Sequence, residues 1–303
     1  MDRLSQLELF ARIVEGGSFV RAANLLNIAR STASEAVRTL EQEAGARLLT
    51  RTTRHVTVTA EGEEFYRHAR IILDEVEEAY SSFKTGSPHG HLRVDASGLL
   101  TRTFITPRLP EFLRAYPDIT IQFGQSDRLV DLVREGIDCV LRAGPPDDSS
   151  MRMRRLGFLP EITCASPEYL ERHGTPENID DLAGHFMVGF VSSRTGDIMP
   201  LEFQRHNKIE YRKIPARVIT DNSDTAADLA LRGLGLIQAP HYRFEPLLAS
   251  GQLVQILTDT LPEPMPLNAI YPGDRRLSRR LDVFLNWAVE IFAELPQSFN
   301  TKG

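Results

Sequence analysis

Two apolar stripes at helical spacing lie nearly end to end in residues 16–41, GGSFVRAANLLNIARSTASEAVRTLE, with only Asn27, Ile28, Ala29 and Arg30 between them. So short a connection forces two short helices to pack against one another. Ser18 is a good N-cap, and Phe19, Ala22, Ala23 and Leu26 recur at three-and-four spacing, which predicts a helix of about two turns. Ser31 can cap a second helix whose buried stripe is Ala33, Val37, Leu40 and Ala44 and which ends at Gly45. Upstream, Leu4, Leu7, Ala11 and Val14 predict a first helix that closes a three-helix core. Downstream, RLLTRTTRHVTVT has an Arg/Thr-rich tip followed by alternating Val56 and Val58, the pattern of a two-stranded wing. Alone, a short two-helix unit reads first as an ordinary αα-hairpin.

Charge narrows the choice. The chain carries a net charge of -6, yet residues 1–60 hold eight arginines against six acids. Between Ala44 and Ala60 there is no acid, while Arg47, Arg51, Arg54 and His55 fall there. A compact basic patch on an acidic body suits a protein that touches phosphate in one place. The outer face of the third helix carries Ser31, Glu35, Arg38 and Gln42, flanked by Thr32 and Ser34. These side chains are small or hydrogen-bonding, as a helix entering a major groove requires.

The string running from Ser18 through the Thr59-Ala-Glu-Gly62 closure holds the pair Ala22 and Ala23, then Ser34, Leu40, Glu41, Gly45, Arg47, Leu48, Arg51 and Thr52. It resembles the winged helix-turn-helix of the LysR-type bacterial transcriptional regulators. The likeness continues through Pro110 to Phe112, Ser126 to Arg128, Leu234 to Leu236, and Tyr271 with Pro272, so it covers nearly the whole chain. It implies that double-stranded promoter or operator DNA is bound by Arg30, Ser31, Thr32, Ser34, Glu35 and Arg38, with Arg51, Thr52 and Arg54 in the wing. Many members have Gln just before the third helix and Arg on its outer face, where this chain has Arg30 and Glu35. Arg30 can offer two donors to guanine and Glu35 can accept from cytosine; equally, Arg30 can hold phosphate while Glu35 pairs with Arg38.

After the wing, Thr59 caps a long helix with Glu61, Glu63 and Glu64 in its first turns, favourable at the positive end of the helix dipole. Phe65, Ala69, Ile72, Val76, Ala79 and Phe83 then alternate steps of four and three, the period of a coiled-coil seam. A helix docked on its own domain can show the same stripe. In the family the corresponding helix dimerises, which assigns those six residues to a homodimer, with higher homo-oligomers and contact with RNA polymerase as further expectations.

GSPHGHLRV, from Gly86, reads as a hinge. Beyond it, HLRVDAS, ITIQFG and IDCVLRAG predict strands separated by helical stretches at about 103–116 and 126–136, the alternation of a doubly wound α/β sheet. FMVGFV, IPARVIT and GLGLIQAP predict more strands. The resemblance implies a two-lobed, periplasmic-binding-protein-like effector domain with crossovers near 161–165 and 265–269. The expected organisation is therefore a DNA-binding domain over 1–59, a linker helix over 60–87 and an effector domain over 88–303, with lobe I at about 88–161 plus 267–303 and lobe II at about 162–266. Small ligands bind such sheets beyond the strand ends, near helix N-termini. Ser97, Leu99, Thr101, Ser126 and Arg142 occupy such places in the first lobe, and Phe190, Asn222 and Ser223 in the second. Ser126 and Ser223 serve equally well as helix caps, and Arg142 equally well as a partner of Asp127. Leu99 stands where the family often has a small hydroxyl residue.

Other chemistry finds little support. No G-x-S-x-G, H-E-x-x-H or Walker loop occurs, and Gly233-Leu-Gly235 continues into Leu-Ile-Gln instead of toward a third glycine, so no catalytic residue or cofactor is expected. Cys139 and Cys164 sit in apolar or β-branched surroundings and read as buried thiols; His89 and His91 lie in a Pro/Gly stretch with no converging ligands, so no metal is expected. No apolar run reaches the roughly 18 residues of a membrane span, and the N-terminus lacks a signal peptide, which predicts a cytoplasmic protein with no membrane partner.

Overall fold

The computed structural model of the chain describes residues 1–51, 56–81, 87–125, 127–128, 130–144, 151–273 and 277–293. Backbone contacts divide it into two compact units, Met1–His91 with Val133–Gly136 in the first and Leu92–Leu132 with Ile137–Gly303 in the second.

In the first unit, α1 (Arg3–Gly16), α2 (Phe19–Leu25) and α3 (Arg30–Ala44) are followed by the hairpin β1 (Leu49–Arg51) and β2 (Val56–Val58) and then α4 (Ala60–Ser81). The strands pair antiparallel, Leu49 opposite Val58, as the wing pattern predicts. Ser18 caps α2 by accepting from the Arg21 N–H at 3.3 Å. The turn into α3 passes through Asn27 at φ 53, a left-handed conformation that asparagine tolerates better than most residues. Leu9, Phe10, Ile13, Ala22, Ala33, Val37 and Leu40 fill the core among the three helices.

Two expectations for α3 need correction. Ser31 does not cap it: Ala29 is extended, its carbonyl accepts from the Ala33 N–H at 3.0 Å, and Arg30 is already helical. Ser31 thus falls in the first turn with its side chain exposed. At the other end Ala44 is exposed, and Ala36 completes the buried stripe instead.

The wing is fastened to the helices by contacts that periodicity does not reveal. Glu41 Oε1 on α3 accepts from the N–H groups of Leu48 and Leu49, at 2.9 and 3.0 Å. Thr59 donates its hydroxyl to the Arg47 carbonyl at 2.7 Å and accepts from the Gly62 N–H at 2.9 Å, so it caps α4 as expected while holding the chain just ahead of β1. Gly62 has to be glycine because a Cβ there would run into the Leu48 carbonyl oxygen. The first turns of α4 then lie along α1: Tyr66 and Arg70 both reach Glu15 Oε1, at 2.9 and 3.2 Å, and Phe65 packs edge-on to Phe10 at 5.5 Å.

The expected seam on α4 therefore divides. Phe65 and Ala69 belong to the core of their own unit, the first half-buried and the second buried, because α1 covers that stretch of the stripe. Ile72 and Ala79 are exposed and Val76 is half-exposed. Phe83 lies outside the described residues.

The second unit contains β3 (Gly90–Ala96), β4 (Ile119–Gly124), β5 (Cys139–Ala143), β6 (Met151–Leu159), β7 (Glu161–Ala165), β8 (Met187–Phe190), β9 (Leu201–Arg205), β10 (Lys208–Arg212), β11 (Ala216–Thr220), β12 (Ile237–Pro240), β13 (Val254–Ile256) and β14 (Met265–Pro272). Its longer helices are α5 (Leu109–Ala115), α6 (Pro167–His173), α7 (Ser223–Leu231) and α8 (Arg279–Ala293). One five-stranded sheet has the order β4-β3-β5-β14-β6, and its core is closed by Phe284, Leu285, Ala288 and Phe292 of α8. This is the first lobe. The second is built from a three-stranded sheet, β12-β7-β13, with the pairs β11-β8 and β10-β9.

The chain changes sheets at Pro160, between β6 and β7, and returns at β14. The first-lobe sheet is mixed, since β3 runs parallel to β5 while β14 runs antiparallel to both β5 and β6. All six predicted strands are present. The helical stretches are shorter than expected: Thr101–Ile105 forms a π-helical turn ahead of α5, and within 126–136 only Leu132–Glu135 is helical among the described residues. Cys139 and Cys164 are buried free thiols whose pKa burial raises, that of Cys164 to about 12. No group of three or more metal-binding side chains occurs among the described residues.

Candidate functional site

The first candidate surface is the outer side of α3. Arg30, Ser31, Thr32, Glu35 and Arg38 are exposed and Ser34 is half-exposed, while Ala33, Ala36, Val37 and Leu40 hold the inner side in the core. Polar residues thus project from a helix fixed along its length. Arg38 Nη2 lies 3.5 Å from Glu35 Oε2, but both side chains are about two-thirds exposed, 64% and 70%. An ion pair so exposed contributes at most about 1 kcal/mol and leaves either partner able to turn to another ligand. Arg30 starts the helix at the turn, and Arg47 precedes the wing, both exposed. Arg51 ends β1, whereas Thr52 and Arg54 lie outside the described residues.

The second candidate lies between the lobes of the second unit, where α7 begins. Asp127, from the loop after β4, turns Oδ2 toward the other lobe and accepts from Ser223 twice, from its N–H at 2.8 Å and its hydroxyl at 2.7 Å. Behind Ser223, the buried Arg243 donates to the Ser223 hydroxyl oxygen at 2.9 Å and to Asp224 Oδ1 at 2.6 Å. Arg102 of the first lobe lies 3.5 Å from the other oxygen of Asp224. An apolar contact crosses beside them, the Tyr242 ring standing edge-on to Phe104 at 4.9 Å. Burial raises the Tyr242 pKa, against the lowering effect of nearby Arg243.

Arg142 supports this arrangement from below. Its guanidinium donates to the carbonyls of Asp127 and Arg128, at 2.9 and 2.7 Å, and sits 3.5 Å from Asp95. Burial lowers its pKa, the carboxylates of Asp95 and Asp127 opposing the change. Arg142 therefore shapes the loop that presents Asp127.

Comparison with known proteins settles the family. Residues 4–63 match the model of the bacterial regulatory helix-turn-helix protein, lysR family, and residues 85–293 match the LysR substrate binding domain. The chain belongs to the LysR family of transcriptional regulators. It is 33% identical to the uncharacterized HTH-type transcriptional regulator YhjC of Escherichia coli over 97% of its own length and 99% of that protein's. It is 34% identical to the transcriptional regulator CrgA of Neisseria meningitidis, covering 94% of this chain and 95% of CrgA. The solved CrgA structure superposes with a TM-score of 0.59 at 32% identity, covering 96% of this chain and 99% of that one. This LysR-type regulator accordingly combines a helix-turn-helix that binds DNA with a two-lobed domain that takes an effector, and LysR regulators are oligomeric.

Within the LysR effector domain, the structure gathers only some of the residues expected at the ligand. Ser97, Arg142 and Ser223 belong to the set around Asp127 and Tyr242. Asn222 is adjacent, and its Oδ1 caps α7 by accepting from the Thr225 N–H at 2.9 Å. Thr101 is buried and donates its hydroxyl to the Ser97 carbonyl at 3.0 Å, so its polar group serves its own turn. Phe190 packs against the second-lobe cluster that holds Val188 and Phe244, and Leu99 is half-buried. Ser126 lies outside the described residues.

Arg102, Asp224, Tyr242 and Arg243 were not expected at the site. Asp224 was within reach, because it directly follows Asn222 and Ser223, both expected at a strand end. Arg243 carried no signal. It follows Pro240 in an irregular His-Tyr-Arg turn, and its partners lie 19 and 20 residues away in sequence.

Proposed function

We propose that this LysR regulator reads operator DNA with Arg30, Ser31, Thr32, Ser34, Glu35 and Arg38, aided by Arg51, Thr52 and Arg54 of the wing, and that a small molecule between the lobes controls it. The carrying observation is the division of α3 into a buried apolar side and an exposed polar one. Residues 1–59 act as the reading head, 60–87 as the linker and 88–303 as the effector domain. The linker joins two copies through Ile72, Val76 and Ala79, whose side chains α1 leaves uncovered, and the stripe continues to Phe83. Pairs of dimers, contact with RNA polymerase and a cytoplasmic location complete the reading, with regulation and not catalysis as the activity. A second reading of Arg30 and Glu35 is favoured by the 3.5 Å approach of Arg38 to Glu35: Arg30 then anchors phosphate and reads no base.

Selecting preferred sequences from a random duplex library with the full chain, then measuring Arg30→Ala on every single-base variant of the winner, tests both readings. Direct readout predicts a loss of about 1–3 kcal/mol concentrated at one G·C position. A uniform loss across variants assigns Arg30 to phosphate, and absence of any sequence preference overturns the proposal.

A further inference from the structure

Several contacts join the two lobes at the start of α7. Asp127 comes from the first lobe, and both its bonds to Ser223 end at the first residue of α7 in the second. That position is favourable for a negative charge, because the first turn of a helix presents unsatisfied N–H groups and the positive end of its dipole. Arg243, buried behind Ser223 and Asp224, holds both residues in place from within the second lobe. Arg142 does the same for the Asp127 loop from within the first. Each side of the crossing is thus braced by an arginine of its own lobe. The Arg102–Asp224 pair and the Phe104–Tyr242 contact cross at the same level, so hydrogen bonds, charge and packing act in the same sense.

We propose that Asp127 is a built-in latch that holds the two lobes together by bonding to Ser223 at the start of α7, so that opening the domain requires the Asp127–Ser223 contact to break. The latch makes closure a property of the chain itself, with the effector acting on an equilibrium already biased. A ligand that enters between the lobes shifts that equilibrium only by its differential affinity for the latched and unlatched states. The inference concerns the same cleft as the proposed effector site, yet its test uses neither effector nor DNA.

The test is a distance measurement in the full chain. Spin labels at Asp118→Cys in the first lobe and Glu171→Cys in the second report the separation, since both positions are exposed and both native cysteines are buried. Labelled protein is diluted with unlabelled copies so that only pairs within one chain are read. The unmodified cleft should give one dominant short distance. Asp127→Ala should add a longer population that becomes the major one, and Ser223→Ala a minor one, because the Ser223 backbone N–H still donates to Asp127. Asn222→Ala is the control: it removes a cap from the same helix terminus without touching the crossing, and it should keep the short distance. If Asp127→Ala leaves the distribution unchanged, or Asn222→Ala opens the lobes equally, the latch does not exist. Failure here leaves the DNA reading intact, because that reading stands on sequence selection alone.

Discussion

Glu161 begins β7 directly after the chain leaves the first-lobe sheet, and burial, then the carboxylate of Glu202, moves its pKa from 4.5 to about 8. The folded chain therefore keeps a proton at neutral pH that the unfolded chain has released. Stability contributed by this group is full below about pH 4.5 and falls as pH rises to about 8, at up to about 1.4 kcal/mol per pH unit. Glu161→Gln should be nearly neutral at pH 5 and raise the thermal midpoint of the effector domain at pH 8. Unfolding curves at the two pH values check this, and equal shifts at both would show that Glu161 is ionised in the fold. At this scale the sequence is readable where chemistry is local. The Ser18 and Thr59 caps follow from residues three positions on. Glu41 and Arg142 were unreadable as braces because their partners lie 7 and 8, and 14 and 15, residues away and are backbone groups, which no side-chain pattern marks.

Among the elements, α4 carries a periodic stripe that its own unit covers only in part. Phe65 and Ala69 pack within that unit while Ile72 and Ala79 are exposed, and spacing alone does not mark where the cover ends. Phe10 packs on Phe65 and Glu15 binds Tyr66 and Arg70, and Leu73 is the last residue of α4 that packs against this core among the described residues. Ile72 and Tyr80 are 44% and 67% exposed, a cost unless something covers them. Ile72→Glu would place an unpaired carboxylate in the proposed dimer contact, which should weaken self-association by roughly 100-fold or more. Sedimentation of the full chain over a concentration series measures it, and a dimer of unchanged stability would move the interface off α4. Burial alone did not decide which strands were legible: β11 was read although none of its residues is fully buried, and β7 was not read although four of its five are. In β6 only Leu156 and Leu159 are buried among arginines on a sheet edge, so the apolar signal is thin. The β9–β10 ribbon escaped notice likewise, since β10 buries none of its residues fully.

For the whole molecule, charge placement and family likeness made the division into head and body legible, whereas the lobes were not readable from periodicity. A strand gives the same alternation in either sheet, and the switch at Pro160 is decided by which strands pair across long separations, β6 with β14 and β7 with β12 and β13. The proposed function requires that the lobes be coupled to the DNA. That coupling is a free energy, and it is reciprocal: if lobe closure changes operator affinity, operator binding changes closure by the same factor. Coupling energies of this kind are typically about 1–3 kcal/mol, or about 5- to 150-fold. The change is invisible in a chain that is almost wholly closed, but Ser223→Ala should populate both arrangements. Saturating the spin-labelled Ser223→Ala chain with its selected operator should therefore shift the ratio of long to short distances at least about fivefold. The direction is fixed independently, because Asp127→Ala, which opens the lobes, must raise operator affinity if DNA favours the open form and lower it if DNA favours the closed one. A ratio that ignores DNA, or a shift whose sign disagrees with the Asp127→Ala affinity change, would mean that lobe closure is not the variable the operator senses.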